Sequence, residues 1–311
     1  MKSPKGSDAS VLRLASDELL AWYEVHGRST LPWRNSRDPY CIIVSEFMLQ
    51  QTQVDRVVAA YERFIAAYPA FEALAAASRA DVVRAWKGLG YNMRAVRLHE
   101  LACTVVARHA GAMPSDVEAL RALPGIGPYT AAAVRAFAFE IDDVAIDVNL
   151  RRVVHRLSFG LEHPPKANAT QIDDAAWVLL PHGRAHDWNS AMMDLGATIC
   201  TARAPKCTQC PLRAACAAAP FGEAEIARTS QARLAAKRQG PQSRLPFTQT
   251  RRYVRGRILD RLRELAPGAV IRTADLVASV DLERRYSLDE ILDGMERDGL
   301  VTRDLGGIRL R

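Results

Sequence analysis

The sequence predicts an all-α fold class with a small tail of mixed structure, on three observations. Apolar residues recur at three- and four-residue spacing through most of the first 216 positions, the period of helices with one buried face. Glycine, proline or polar breaks separate these stretches at ordinary helix lengths. No convincing apolar–polar alternation of a half-buried strand appears before position 216.

The helical stretches run in order through "VLRLASDELLAWYEVHG", "VDRVVAAYERFIAAY", "MRAVRLHELACTVVARHA" and "QIDDAAWVLL". Short apolar runs such as "CIIV" are read as helix from their neighbours. From Ala217 to Thr250 alanine, proline, glutamine and serine dominate, with five basic and two acidic residues, which predicts a partly helical or loose linker. A compact pattern resumes at Arg251. "RYVRGRILDRLREL", "TADLVASV" and "SLDEILDGMERDGL" read as three helices, and "LVTRDLGGIRLR" as a hairpin turning at Gly306-Gly307. Three helices and a hairpin resemble a winged helix, which serves DNA contact or protein packing about equally often.

The chain has 311 residues, enough for two or three compact units, and carries 42 basic and 35 acidic side chains for a net charge of +7. That balance permits a polyanionic partner without requiring one. No apolar run reaches membrane-spanning length and the first ten residues are polar, so a cytoplasmic protein without membrane contact is expected.

In that compartment clustered cysteines point to metal rather than to disulfides. "CTARAPKCTQCPLRAAC" spaces Cys200, Cys207, Cys210 and Cys216 as C-x6-C-x2-C-x5-C. Structural zinc favours two close CxxC knuckles on a longer spacer. Only Cys207 and Cys210 form one here. The wider arms suit a larger iron–sulfur cubane with one thiolate per iron, with zinc and a metal-free loop as the alternatives. Cys41 and Cys103 stand alone in apolar contexts and are expected to be small buried core residues.

Three other stretches carry chemistry. In "LPGIGPYTAAAV", Gly125 and Gly127 form a turn that lets another backbone approach, and a helix beginning near Pro128 directs its free N–H groups outward, a seat for phosphate. An ordinary turn between packed helices is the plain alternative. Asp147 in "IDVNLRRV" sits where an apolar run meets a helix, a common N-cap place, and the cap's amides with neighbouring arginines favour an ionised carboxylate. Asp142 and Asp143 lack that junction and are expected to face solvent. Glu46, in "CIIVSEFML", is surrounded by apolar residues that disfavour its charge and raise its pKa, unless it is a solvated surface glutamate.

Taken together and in order, "LPWRNSRDPYCIIVSEFMLQQTQV", "LPGIGPYTAAAV", "IDVNLRRV" and "NSAMMDLGATICT" running into the cysteine loop resemble the helix-hairpin-helix DNA glycosylases. The likeness covers roughly residues 15–216 and is nearest to adenine glycosylases of the MutY type. It implies two helical lobes flanking a DNA groove. One would be a six-helix bundle with the hairpin, residues 31–140. The other would be an iron–sulfur domain from residues 1–30 and 141–216, followed by the linker 217–250 and the winged-helix-like unit 251–311.

The resemblance also implies roles. Glu46 would protonate adenine N7, and Asp147 would stabilise the sugar cation, one neutral and one charged carboxyl as in glycosidases. Tyr129 and Asn149 would hold that aspartate and the intermediate. Trp33 and Arg34 would form the pocket for an extruded base, Gln51 and Tyr91 would wedge into the duplex, and Gly125 and Gly127 would meet the backbone. The four cysteines would hold a [4Fe-4S] cluster, which makes a cationic knob of Lys206, Arg213 and Arg203. Double-stranded DNA with a mismatch or lesion would be the partner, bound by a monomer. Tyr129 stands where lyase relatives carry lysine, which implies a monofunctional enzyme, since a phenol forms no imine.

Two departures bear on substrate. Ser190 replaces a longer amide or carboxylate that reads adenine, and the tail does not resemble the Nudix-like module that reads oxoguanine. Thymine or uracil mismatch glycosylases are the first rival reading, and a non-catalytic DNA-binding module the second.

Overall fold

The computed structural model describes residues 9–238, 246–279, 286–304 and 306–311. In chain order the helices are α1 (Ala9–His26), α2 (Pro39–Leu49), α3 (Val54–Ala67), α4 (Phe71–Ala76), α5 (Arg79–Ala85), α6 (Met93–His109), α7 (Val117–Arg121) and α8 (Pro128–Ala138). They continue as α9 (Val148–Phe159), α10 (Ala169–Leu179), α11 (Ala185–Thr198), α12 (Gly222–Arg238), α13 (Arg251–Arg263), α14 (Thr273–Ser279) and α15 (Leu288–Arg297). The strands β1 (Val301–Asp304) and β2 (Gly307–Leu310) pair antiparallel, from Val301 opposite Leu310 to Asp304 opposite Gly307. Gly307 therefore lies in a strand, where the sequence placed it in the turn. Part of the expected linker, residues 239–245, and the first eight residues fall outside the described residues.

Local chemistry sets many boundaries. Ser78, Asp116 and Asp147 cap α5, α7 and α9 by accepting first-turn N–H groups, and Asn168 and Gln171 close a reciprocal capping box on α10. Pro128 opens α8, a position where its missing N–H costs nothing.

Two compact units result. The first comprises residues 1–42 and 127–242. Its core packs Leu19 and Leu20 of α1, Leu150, Val153, Val154 and Leu157 of α9, Ile172 and Leu179 of α10, and Trp188, Met192 and Leu195 of α11. Cys200, Cys210 and Cys216 pack against this core. The second unit comprises residues 43–126 and 243–311. Ile43, Val44, Phe47, Phe64, Leu74, Trp86, Leu98 and Leu101 are almost fully buried in it, as are Ile258, Leu259, Leu262, Leu292 and Met295 of the tail. The tail's α13 is bolted to this unit by Arg263, whose side chain is buried and donates to Val83 O at 3.0 Å and Asn92 Oδ1 at 2.7 Å.

Candidate active site and DNA-binding elements

Glu46 lies on α2 and is only 7 % exposed, among neighbours Ile43, Val44, Phe47 and Met48 that are more deeply buried still. The solvated alternative for this residue is excluded. The C-terminal carbonyls of α2, which a helix leaves unpaired, are met by one side chain. Arg94 of α6 donates to the carbonyls of Phe47, Met48 and Gln50 at 2.7–2.8 Å, and to Leu89 O, Gly90 O and Thr52 Oγ1 at 3.0 Å. Burial lowers its pKa to about 10.

The backbone that Arg94 gathers is strained. Gln51 (φ 56°) and Tyr91 (φ 45°) both occupy the left-handed region that disfavours L side chains. Both side chains are exposed.

In the hairpin, Gly125 has φ 79° and a Cβ there would stand 2.8 Å from Phe47 Cζ, so glycine is required twice over. Gly127 differs from expectation: its backbone is extended (φ −96°, ψ 179°), and a Cβ would meet nothing within 4 Å. Its value is open space beside the start of α8. Tyr129 is the second residue of that helix and half-buried.

Asp147 is both an N-cap and the centre of a side-chain relay. Its Oδ1 accepts the N–H groups of Asn149 and Leu150 at 2.9 and 2.7 Å, and its Oδ2 accepts Asn149 Nδ2 at 2.9 Å. Arg152 Nη2 donates to Asn149 Oδ1 at 2.9 Å, which fixes which end of the amide faces the aspartate. Arg152 also donates to Gly196 O and Cys200 O at 2.6 and 2.7 Å. A Cβ on Gly196 would approach Asn149 Cβ to 2.7 Å, so the absence of a side chain lets α11 lie against the asparagine.

Trp33 and Arg34 occupy a short helical turn, residues 32–35, and both are buried. Arg34 donates to Ser190 Oγ and, at 2.9 Å, to Asp194 Oδ1; the Arg28 guanidinium shares that oxygen of the fully buried carboxylate, and the Arg28 backbone N–H donates to Oδ2 at 2.8 Å. Ser190 is itself fully buried. Arg34 Nε is buried without a hydrogen-bond partner among the described residues.

The four cysteines ring a cavity of about 30 Å³ that Arg156, Ile199, Ala218 and Ile226 complete. Among the described residues no three histidine, cysteine or acidic side chains close around one point as a single metal ion requires. Burial raises the pKa of Cys207 and Cys216 and pushes Cys210 up to about 12. Arg156, 2 % exposed, donates to Cys200 Sγ at 3.3 Å and to Thr201 O, Ser230 Oγ and the buried carboxylate of Glu162. Lys206, Arg203 and Arg213 of the same loop are exposed.

The structure thus joins Asp147 with Asn149, Arg34 with Ser190, and the four cysteines in one unit. Glu46, Gln51, Tyr91 and Gly125 belong to the other. Several expectations need correction. Asp142 and Asp143 do not face solvent: their side chains are 24 % and 19 % exposed, the first against His182 and the N–H of Gly183, the second against Arg135. Cys41 and Cys103 are half-buried rather than core, their thiols near Asp38 Oδ2 and Ala75 O. Sequence reading missed Arg94, Arg152 as a relay, Arg156 and the tail's Arg252. Only the run of arginines after Asp147 carried a local signal.

Comparison with known proteins agrees with this architecture. The profile described as "HhH-GPD superfamily base excision DNA repair protein" matches residues 44–180. An adenine DNA glycosylase of Mycolicibacterium smegmatis is 40 % identical over 292 residues, 93 % of each chain. A thymine-DNA glycosylase of Aeropyrum pernix is 38 % identical over 205 residues, covering 64 % of this chain and 91 % of that one. The solved structure of a thermostable thymine-DNA glycosylase superposes with a TM-score of 0.63 at 32 % identity, covering 69 % of this chain and all of that one. The chain belongs to the HhH-GPD superfamily of base excision DNA repair proteins and, within it, to the adenine DNA glycosylase family.

Proposed function

We propose that this protein is a DNA glycosylase of base excision repair that removes adenine, mispaired with guanine or its 8-oxo form, by hydrolysing the N-glycosidic bond. The observation that carries the reading is the likeness to an adenine DNA glycosylase along 93 % of both chains, tail included. The likeness to a thymine-DNA glycosylase covers 64 % of this chain.

The residues support a balanced reaction. Adenine is extruded into the pocket of Trp33 and Arg34, whose unpartnered Nε is left to donate to an acceptor on the ring. Glu46, buried among apolar side chains, gives its proton to N7. The bond from C1′ to N9 breaks with its electrons going to the base. Asp147, held by Asn149, faces the sugar cation as an anion. Water adds at C1′ and its proton returns to Glu46, leaving an abasic site. Tyr129 supplies no amine, so strand cleavage does not follow. Ser190 accepts from Arg34 and is fully buried, which supports a role in placing that guanidinium in the pocket.

The cysteine cavity fits a [4Fe-4S] cluster better than zinc. Four half-buried thiols ring one apolar cavity, with a sequence spacing wider than paired zinc knuckles, and Arg156 donates to one of the sulfurs. Bound there, the cluster supplies a rigid fold to residues 200–216, and exposed Lys206, Arg203 and Arg213 grip DNA phosphate.

The test is base release from A:G, A:8-oxoguanine, T:G and U:G duplexes, read by alkali cleavage. Adenine release supports the reading, and release of thymine or uracil alone transfers it to the thymine class. Glu46→Gln is expected to lower adenine release about 10²- to 10⁴-fold. An undiminished rate removes Glu46 from the mechanism.

A further inference from the structure

Ser190 and Asp194 stand four residues apart on α11 and so share one face of that helix. Both are fully buried, and both hold the same guanidinium. Arg34 Nη1 donates to Ser190 Oγ and Nη2 to Asp194 Oδ1 at 2.9 Å. A guanidinium is a rigid plane, so two contacts at its Nη edge also fix the direction of Nε–H. That N–H is buried and meets no acceptor among the described residues. Such a donor lowers stability until an acceptor arrives from outside the chain. Asp194 is shared as well: Arg28 Nε and Nη2 reach Oδ1 at 2.9 and 2.6 Å, and the Arg28 backbone N–H reaches Oδ2 at 2.8 Å. Among the described residues neither arginine has another acidic partner, so two guanidiniums and one carboxylate leave one net positive charge here. Folding alone gains nothing from a surplus buried charge with an idle donor.

We propose that Asp194 is the positioning residue for Arg34, holding its Nε–H toward a ring nitrogen of the extruded base. Asp194 has no exposed surface and acts only through the guanidinium. Its two oxygens register the segment from Arg28 to Arg34 against α11, which sets where Nε points. Adenine offers three ring acceptors. Glu46 takes N7 in the reaction above, which leaves N1 and N3 for a charged donor. Thymine and uracil have no such acceptor, since their free ring nitrogen bears hydrogen. A site built to donate to a ring nitrogen rejects a base that lacks one, because its own buried N–H is then left unpaired. The selectivity of the pocket thus depends on a carboxylate that never meets the base. This assignment rests on the adenine glycosylase reading.

The test is single-turnover release of adenine, 1-deazaadenine and 3-deazaadenine from otherwise identical duplexes by the full-length protein. The measured quantity is the ratio of the adenine rate to each analogue rate, compared between variants so that intrinsic reactivity cancels. Arg34→Met is expected to shrink one of the two ratios about 10- to 100-fold, the worth of a hydrogen bond from a charged donor. Asp194→Asn is expected to shrink the same ratio, and to shrink it no further in the Arg34→Met background. An equal fall in all three rates, as a purely structural role gives, overturns the assignment. So do ratio losses that multiply in the double variant, or ratios untouched by Arg34→Met. Should Asp194→Asn fail to fold by circular dichroism, Asp194→Asn combined with Arg28→Met removes one charge of each sign and keeps the net buried charge. The same loss of ratio is expected there, and an intact ratio overturns the proposal. Affinity for duplexes whose target nucleotide carries a 2′-fluorine, which disfavours the sugar cation, reads the ratio without chemistry. A wild type that releases no adenine yet binds with that ratio overturns the reaction and keeps the positioning role; release without the ratio does the reverse.

Discussion

Arg94 and Arg156 are both buried guanidiniums, 6 % and 2 % exposed, and they solve the same problem differently. Among the described residues Arg94 has only carbonyls and one hydroxyl as hydrogen-bond acceptors, and burial lowers its pKa. Arg156 is matched by the buried carboxylate of Glu162. Burial pushes the Glu162 carboxyl up, but the Ser230 hydroxyl, Arg156 and Arg233 together hold it below the usual range. The carbonyl cage fastens together two turns, at residues 47–52 and 89–90, that are themselves some way apart in the chain. The ion-pair clamp gathers α9, the cysteine loop and α12, which are distant in sequence. A cage of dipoles can be rehydrated when its centre is lost, whereas a stranded carboxylate cannot.

The largest effect follows from that asymmetry. Arg156→Met leaves Glu162 buried beside a weaker set of partners and is expected to cost about 3–5 kcal/mol of unfolding free energy in denaturant titration. If the cysteine loop holds the proposed cluster, it is also expected to reduce bound iron per chain, because Cys200 loses its donor. Adding Glu162→Gln to Arg156→Met is expected to recover part of that loss, and no recovery would mean the clamp acts by packing alone. Arg94→Met is expected to cost less, about 1–3 kcal/mol, since the groups it strands are neutral and the carbonyls of Gln50 and Gly90 are only part-buried. A larger loss than at Arg156 would reverse the comparison. Smallest of all is Lys206→Ala on the exposed cysteine loop. It is expected to reduce the slope of log affinity against log salt by about 1, with base preference unchanged. Identical slopes would remove Lys206 from the DNA contact.

Much of this was legible where chemistry is local. The Gly125 turn, the cap at Asp147, the helix after Pro128 and the spacing of the cysteines are each set by residues a few positions apart. Glu46 was legible because its neighbours in sequence are also its neighbours in the core. Arg94 was not, as a single arginine in "NMRAV" gives no sign of six acceptors drawn from two turns. Nor was Arg252, 161 residues from Tyr91, whose ring it covers. α12 shows weak periodicity because Ser230 and Arg233 reach Glu162 through polar contacts rather than through an apolar face. Asp142 and Asp143 were misjudged since their partners His182 and Arg135 lie outside any local motif.

The left-handed conformations of Gln51 and Tyr91 have a consequence for evolution and engineering. Each costs about 1–3 kcal/mol that glycine would not. Selection for heat tolerance alone would thus favour glycine at both positions, yielding a hardier chain stripped of the two exposed side chains that the family resemblance sends into the duplex. Two bulky residues in such a backbone are what a compromise between endurance and recognition looks like.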